Sequence, residues 1–165
     1  MSKSHDELLQ QIAQVFNTSK AKLAVVESCT GGGLGQAITA MAGASDFFEG
    51  GLITYSNRVK AKSVYVREST LETHGAVSEE CVKEMANGGL VAMGVDCCLS
   101  ISGIAGPGGG SPEKPVGTVW FGLAVRHKSI EAYHRVFDGD RAAVRAQAVQ
   151  TGLELLASVS LKKAV

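Results

Sequence analysis

The sequence predicts an α/β protein: a three-layer α/β/α sandwich with a mixed sheet, one domain over residues 1–165. Three observations carry that prediction. Short apolar runs alternate with segments of helical periodicity along nearly the whole chain. Its 165 residues are the size of one domain with a substantial core. A strongly β-prone run at 116–126 is separated from the next strand-like stretch by His127-Lys128 alone. That link permits a hairpin but not a parallel crossover, so the sheet must be mixed.

The elements follow in order. Ser4 and Glu7 have the spacing of a capping box, and Leu8, Leu9, Ile12, Val15 and Phe16 recur at helical spacing, giving a helix over 5–17. Strand one is 22–27, an apolar run that ends in Glu27, Ser28, Cys29 and Thr30. Three glycines follow, then a helix over 33–41 that Gly43 ends. Residues 44–49 connect to a strand at Leu52–Tyr55, after which Asn57 caps a helix through Lys62. Ser69 to Glu72 has the form of a second capping box, before a short helix stopped by Gly75.

Ser78 is placed to cap a helix over 79–93. Gly88-Gly89 in its middle marks either close helix packing or merely an imperfect helix, at up to about 1 kcal/mol per glycine. A strand at 96–102 follows, in which Cys97 and Cys98 face opposite sides. It runs into a Gly/Pro-rich loop, GIAGPGGGSPEKP, which reads either as a surface lid or as a ligand-lining loop at a strand end. The loop lacks the ending of a Walker A motif. After the hairpin strand SIEAYHRVF, Asp140 caps a last helix from Arg141 to about Leu161, with Val144, Ala148, Thr151, Leu155 and Val159 along one face.

Composition narrows the function classes. Apolar residues are 45% and charged residues 19%, which excludes a disordered chain. Lysines and arginines balance acidic residues at 16 each, so nothing suggests a nucleic-acid or membrane-surface partner. No apolar run reaches transmembrane length and the N-terminus is too polar for a signal peptide, so the expected location is the cytoplasm. The four cysteines form no CxxC pair and the four histidines no ligand spacing, so no metal site is expected. Homo-oligomerisation is a reasonable expectation for a small enzyme, though no residue points to it.

The chemistry-bearing stretch is Leu23–Gly35, strand then nucleophile-rich turn then glycines then helix. Such a turn lies at the carboxyl end of a strand, where open sheets bind ligands, and glycines let the backbone approach one. A plain strand-to-helix connection with packing glycines has the same outline. Ser28 needs a base to become a nucleophile. Lys60 stands 32 residues on, about one strand–helix–strand unit, so the two can meet on one sheet edge. A lysine is a base only when neutral, and its free pKa is about 10.4. Lowering that to about 7–8 takes roughly 3–5 kcal/mol, which partial burial and a nearby cation such as Lys62 or an arginine can supply. Ser–Lys pairs are a known variant of the catalytic triad, and N–H groups after Ser28 are suited to an oxyanion. Cys29 is a rival nucleophile. Arg141 and Arg145, one helical turn apart, are either solvated surface arginines or an anion clamp.

Six blocks occur in order: ESCTGG, TYSNRVK, GAVS, ISGIAGPGGGS, EKPVGTVWFG and GDRAAVR. Together they make the chain closely resemble the CinA C-terminal domain family, over about Leu8 to Leu156. The resemblance implies a stand-alone nicotinamide-nucleotide amidase, converting nicotinamide mononucleotide to nicotinate mononucleotide and ammonia in pyridine-nucleotide recycling. It implies Ser28 as nucleophile and Lys60 as its base, with Tyr55 and Asn57 positioning or polarising the pair. Thr30, Gly31 and Gly32 would face the substrate. The loop from Ser102 to Gly108, including Gly103, Ala105 and Gly106, would line the pocket, and Arg141 would take the phosphate. No metal or organic cofactor is implied. A non-catalytic nucleotide-sensing module, or a hydrolase for another amide or ester, would use the same scaffold.

Overall fold

The structure is a computed structural model that describes residues 2–162. Five strands form one sheet in the order β2-β1-β3-β4-β5. They are β1 (Leu23–Glu27), β2 (Phe48–Ile53), β3 (Cys97–Gly103), β4 (Thr118–Val125) and β5 (Glu131–Val136). β1 pairs in parallel with β2 and β3, while β3–β4 and β4–β5 are antiparallel, so the sheet is mixed as expected. The hairpin turns at His127, whose φ is +65°.

Six helices cover the two faces: α1 (His5–Ser19), α2 (Gly33–Thr39), α3 (Asn57–Val64), α4 (Glu68–His74), α5 (Glu79–Met93) and α6 (Arg141–Ala157). The pleat sorts alternate strand residues between two cores. Leu23, Val25, Cys97 and Leu99 pack with Leu8, Ile12 and Phe16 of α1, Leu34 and Ile38 of α2, and Leu153 of α6. Ala24, Val26 and Cys98 pack with Val64 of α3 and Val82 and Met85 of α5. Cys97 and Cys98 therefore face opposite sides. The paired glycines of α5 do mark close packing: a Cβ on Gly88 would lie 1.7 Å from the Val64 carbonyl oxygen, and one on Gly89 2.5 Å from Val26.

Several caps are those the sequence predicts. Ser4 and Glu7 bond reciprocally, Ser78 accepts from the Cys81 N–H, and Asp140 accepts from the Ala143 N–H. Others differ. β2 begins at Phe48, four residues before the expected start, and ends before Thr54 and Tyr55. Glu49, Gly50 and Gly51 have low strand propensity, but pairing with β1 decides the matter, and a Cβ on Gly51 would lie 2.7 Å from Val25. α3 is capped by Ser56, whose hydroxyl accepts from the Val59 N–H, and Asn57 is its first residue. The capping box at Ser69–Glu72 does not form. α4 starts at Glu68, and Glu84 of α5 instead accepts from the Arg67 N–H (2.9 Å) and the Thr70 hydroxyl (2.5 Å). α2 stops at Thr39, and Gly43 instead opens a short 3-10 turn at Ala44–Asp46. α6 ends at Ala157, short of Leu161.

Candidate active site

The site lies at the carboxyl ends of β1, β2 and β3. The Thr54 N–H donates to the Glu27 carbonyl (2.7 Å) and the Ser28 N–H to the Ile101 carbonyl (3.0 Å), carrying both parallel ladders one residue past the strands. That register sets Thr54, Ser28 and Ser102 side by side on the face covered by α3 and α5, two residues beyond Leu52, Val26 and Ser100. All three hydroxyl residues are buried. The Thr54 hydroxyl is the buried side-chain polar atom left without a partner among the described residues.

α3 brings Lys60 back over this edge. Its ammonium nitrogen is 3.0 Å from Ser28 Oγ, 2.8 Å from the Thr54 carbonyl and 3.1 Å from the Tyr55 carbonyl, and the residue is 1% exposed. The carbonyls can only accept. When Lys60 is neutral they take its two N–H bonds, and the lone pair is left facing the Ser28 hydroxyl, which then donates. Burial lowers the Lys60 pKa; the opposing attractions are to thiolates at Cys81 and Cys29. Burial pushes both of those thiols up to about 11, so near neutral pH they carry no charge. The expected nearby cation, Lys62 or an arginine, is not among the causes; burial does this alone.

Cys29 faces the core with Leu34 and Val144 nearby in the α1/α2/α6 layer, and its raised pKa makes it a poor nucleophile. Glu27 is buried too. One carboxylate oxygen accepts from the Thr30 hydroxyl (2.6 Å) and the Leu34 N–H (2.9 Å), the other from the Gly35 N–H (2.9 Å). The last residue of β1 thus caps α2 from across the turn and fixes the loop between them. Thr30 spends its hydroxyl inward and offers the site only its backbone. Gly31 and Gly32 take φ of +58° and +101°, left-handed values that suit glycine. The Gly31 N–H returns to the Ser28 carbonyl (3.1 Å), and the N–H groups of Thr30 and Gly32 donate to no acceptor among the described residues.

The remaining expected residues are distributed around this centre. Tyr55 touches Lys60 through its carbonyl; its ring is exposed, and its hydroxyl accepts from Arg141 (3.3 Å). Arg141 also donates to the Gly106 carbonyl (2.9 Å), tying the loop after β3 to the start of α6. Asn57 is exposed, and its side chain bonds neither Ser28 nor Lys60. Ser102 is in the hydroxyl row, with Gly103 ending β3 and Ala105 buried just beyond. A cavity of about 530 Å³ opens between this loop and α6, lined by Ala105, Pro107, Val116, Arg141 and Arg145 among others. Neither this cavity nor a larger hollow of about 720 Å³ between α2 and α6 has Ser28 or Lys60 in its lining. Among the described residues no group of His, Cys, Asp or Glu side chains is arranged to hold a metal ion, and no helix is long and apolar enough to cross a membrane.

Sequence reasoning names two further residues, Glu27 and Arg145 (the latter as half of an anion clamp), but misses the turn-holding contacts that both make. Glu27 was visible as an acid closing an apolar strand just before a helix start, the position from which a carboxylate can cap. Arg145, whose guanidinium donates to the Cys29 and Thr30 carbonyls (3.1 and 3.3 Å), gave no signal beyond its spacing from Arg141.

Comparison with known proteins places this geometry among relatives. A family model described as the CinA C-terminal domain matches residues 5–160. The chain is 50% identical over 150 residues to a nicotinamide-nucleotide amidohydrolase, PncC, of Escherichia coli strain K12, covering 91% of each chain. It is 46% identical over 153 residues to a CinA-like protein of Thermotoga maritima, of which it spans 37%. Among solved structures, a CinA superfamily protein from Klebsiella pneumoniae superposes with a TM-score of 0.89 at 41% identity, covering 94% of this chain and 96% of that one. A competence/damage-inducible protein from Agrobacterium tumefaciens also gives 0.89, at 36% identity and the same coverage.

Proposed function

The chain belongs to the CinA C-terminal domain family, and from that premise we propose that it hydrolyses the carboxamide of nicotinamide mononucleotide to nicotinate mononucleotide and ammonia, through a Ser28–Lys60 dyad and an acyl-enzyme. The substrate class is that named for the relatives that are 50% identical over 91% of the chain. The observation that carries the mechanism is the buried Lys60 nitrogen 3.0 Å from Ser28 Oγ, its other bonds held by two backbone carbonyls.

Neutral Lys60 accepts the Ser28 proton as Oγ attacks the carboxamide carbon. The negative charge that develops on the amide oxygen is met by the unpartnered N–H groups of Thr30 and Gly32. As the tetrahedral intermediate collapses, the C–N bond breaks and Lys60 returns its proton to the departing ammonia. Water then attacks the ester, giving one proton to Lys60, which passes it to Ser28 as the acid leaves; the acid gives its remaining proton to solvent or the released ammonia and becomes the carboxylate. The substrate phosphate is assigned to the cavity beside the start of α6, with Arg141 as the cation that meets it.

The test is ammonia release from nicotinamide mononucleotide by the parent protein, Ser28→Ala and Lys60→Ala, with circular dichroism on each. Both variants are expected to lose activity by a factor of about 10³ or more while remaining folded. Full activity in Ser28→Ala would overturn the nucleophile assignment. Nucleotide binding without any turnover by the parent protein would point instead to a sensing module.

A further inference from the structure

One of the two amides that would receive the oxyanion, the Thr30 N–H, belongs to a peptide group whose carbonyl is held by Arg145. Nε of Arg145 donates to the Cys29 carbonyl (3.1 Å), and a terminal nitrogen of the same guanidinium donates to the Thr30 carbonyl (3.3 Å). A trans peptide sets its C=O and N–H in opposite directions, and the cis bond of the described residues, Gly106–Pro107, lies elsewhere. Holding the Cys29 carbonyl toward α6 therefore aims the Thr30 N–H away from α6. The next peptide shows the rule operating: the Thr30 carbonyl is on Arg145, and the Gly31 N–H points back to the Ser28 carbonyl (3.1 Å). The guanidinium fork suits two carbonyls in fixed relation, which a lysine cannot reproduce.

We propose that Arg145 is a positioning residue for the oxyanion site: it orients the Cys29–Thr30 and Thr30–Gly31 peptide planes so that the Thr30 N–H is presented to the reacting amide. This rests on the reading of Ser28 as nucleophile. It assigns a division of labour to the two arginines of α6. Arg141 bridges the loop after β3 to Tyr55 and serves substrate binding. Arg145 also borders the cavity beside the start of α6, but two of its guanidinium nitrogens are committed to the Cys29 and Thr30 carbonyls, so its main effect should fall on kcat and only weakly on binding. Glu27 secures the same turn from the other side, through the Thr30 hydroxyl and the first amides of α2.

The test compares kcat and KM of the parent, Arg145→Lys, Arg145→Ala and Arg141→Ala, with Ser28→Ala alongside. Arg145→Ala is expected to lower kcat about 100-fold, the scale of losing one oxyanion donor, with KM changed less than about threefold. Arg145→Lys should recover only part of the loss, and millimolar guanidinium should partly restore Arg145→Ala. Arg141→Ala should show the opposite split, a raised KM with kcat largely kept. As a readout that needs no turnover, the backbone amide resonances of Thr30 and Gly31 should move in Arg145→Lys while those of the β4–β5 hairpin stay in place. A raised KM with unchanged kcat for Arg145→Ala, or unmoved Thr30 and Gly31 resonances in Arg145→Lys, would overturn the proposal. A fully active Ser28→Ala would instead overturn the nucleophile assignment on which it rests, while an inactive Ser28→Ala with fully active Arg145 variants would overturn the positioning role alone.

Discussion

A buried lysine serves as a base because water, which would otherwise stabilise its charge, has been removed. Burial lowers the Lys60 pKa, and thiolates that would raise it again do not form near neutrality. Activity should therefore rise with pH along a limb centred below the ordinary lysine value of about 10.4; a pH profile of kcat/KM checks this, and a limb at or above that value would contradict it. The same shift has a stability consequence. A lysine whose folded pKa is depressed binds fewer protons when folded than when unfolded, so its contribution improves as pH rises. The penalty is full below the lowered pKa of Lys60 and gone above its unfolded value. Lys60→Met, which cannot titrate, should gain most over the parent at low pH and lose that advantage as pH climbs through this window, as chemical denaturation at several pH values will show. Cys29→Ala, by contrast, should keep activity within about threefold, because its thiol is buried and held protonated up to about 11. The Ser28–Lys60 pairing was readable from its 32-residue spacing across one strand–helix–strand unit. The two carbonyls that aim the lysine were not, because backbone acceptors carry no residue signature.

At the scale of elements, the position of Lys60 depends on how closely α3 lies against α5. Gly88 makes that approach possible: any side chain there would drive its Cβ to 1.7 Å from the Val64 carbonyl oxygen, at the end of α3. Gly88→Ala should cost about 3 kcal/mol, roughly 6–12 °C in Tm, and should reduce activity further than the stability loss explains, because α3 moves with Lys60. Gly108→Ala is the matched control for stability alone: a Cβ there meets nothing within 4 Å, and stability should stay within about 0.5 kcal/mol. Thermal melts on the pair, with ammonia assays on Gly88→Ala, check both statements. Capping residues made most elements readable, since Ser4, Ser78 and Asp140 each bond the amide three residues on. The errors came where a tertiary partner outweighed local chemistry. Glu84 replaced the expected cap of α4, and pairing with β1 drew two glycines into β2.

Over the whole molecule, the ends of three parallel strands frame the candidate site, and α3 and α6 bring Lys60, Arg141 and Arg145 to it. β1 leads into Ser28 and its turn, β2 leads into the helix bearing Lys60, and β3 leads into the loop that Arg141 ties to α6. Alternation of apolar runs and helical segments was enough to foresee this layering, and the short link after β4, read as His127-Lys128 and found to run over 126–130, foretold the mixed sheet. The contacts that cross the molecule, above all Arg145 on a turn more than a hundred residues earlier, depend on how layers pack and were beyond sequence spacing. The claim at the centre of this account is a covalent intermediate on Ser28. The most direct measurement is rapid quenching of the protein with nicotinamide mononucleotide during the first turnover, followed by peptide mass analysis and quantitation of ammonia. The account predicts a nucleotide adduct lacking the amide nitrogen on the peptide containing Ser28, at the serine oxygen. An adduct on Cys29, or a burst of ammonia matching the enzyme concentration with no adduct on any peptide, would contradict it.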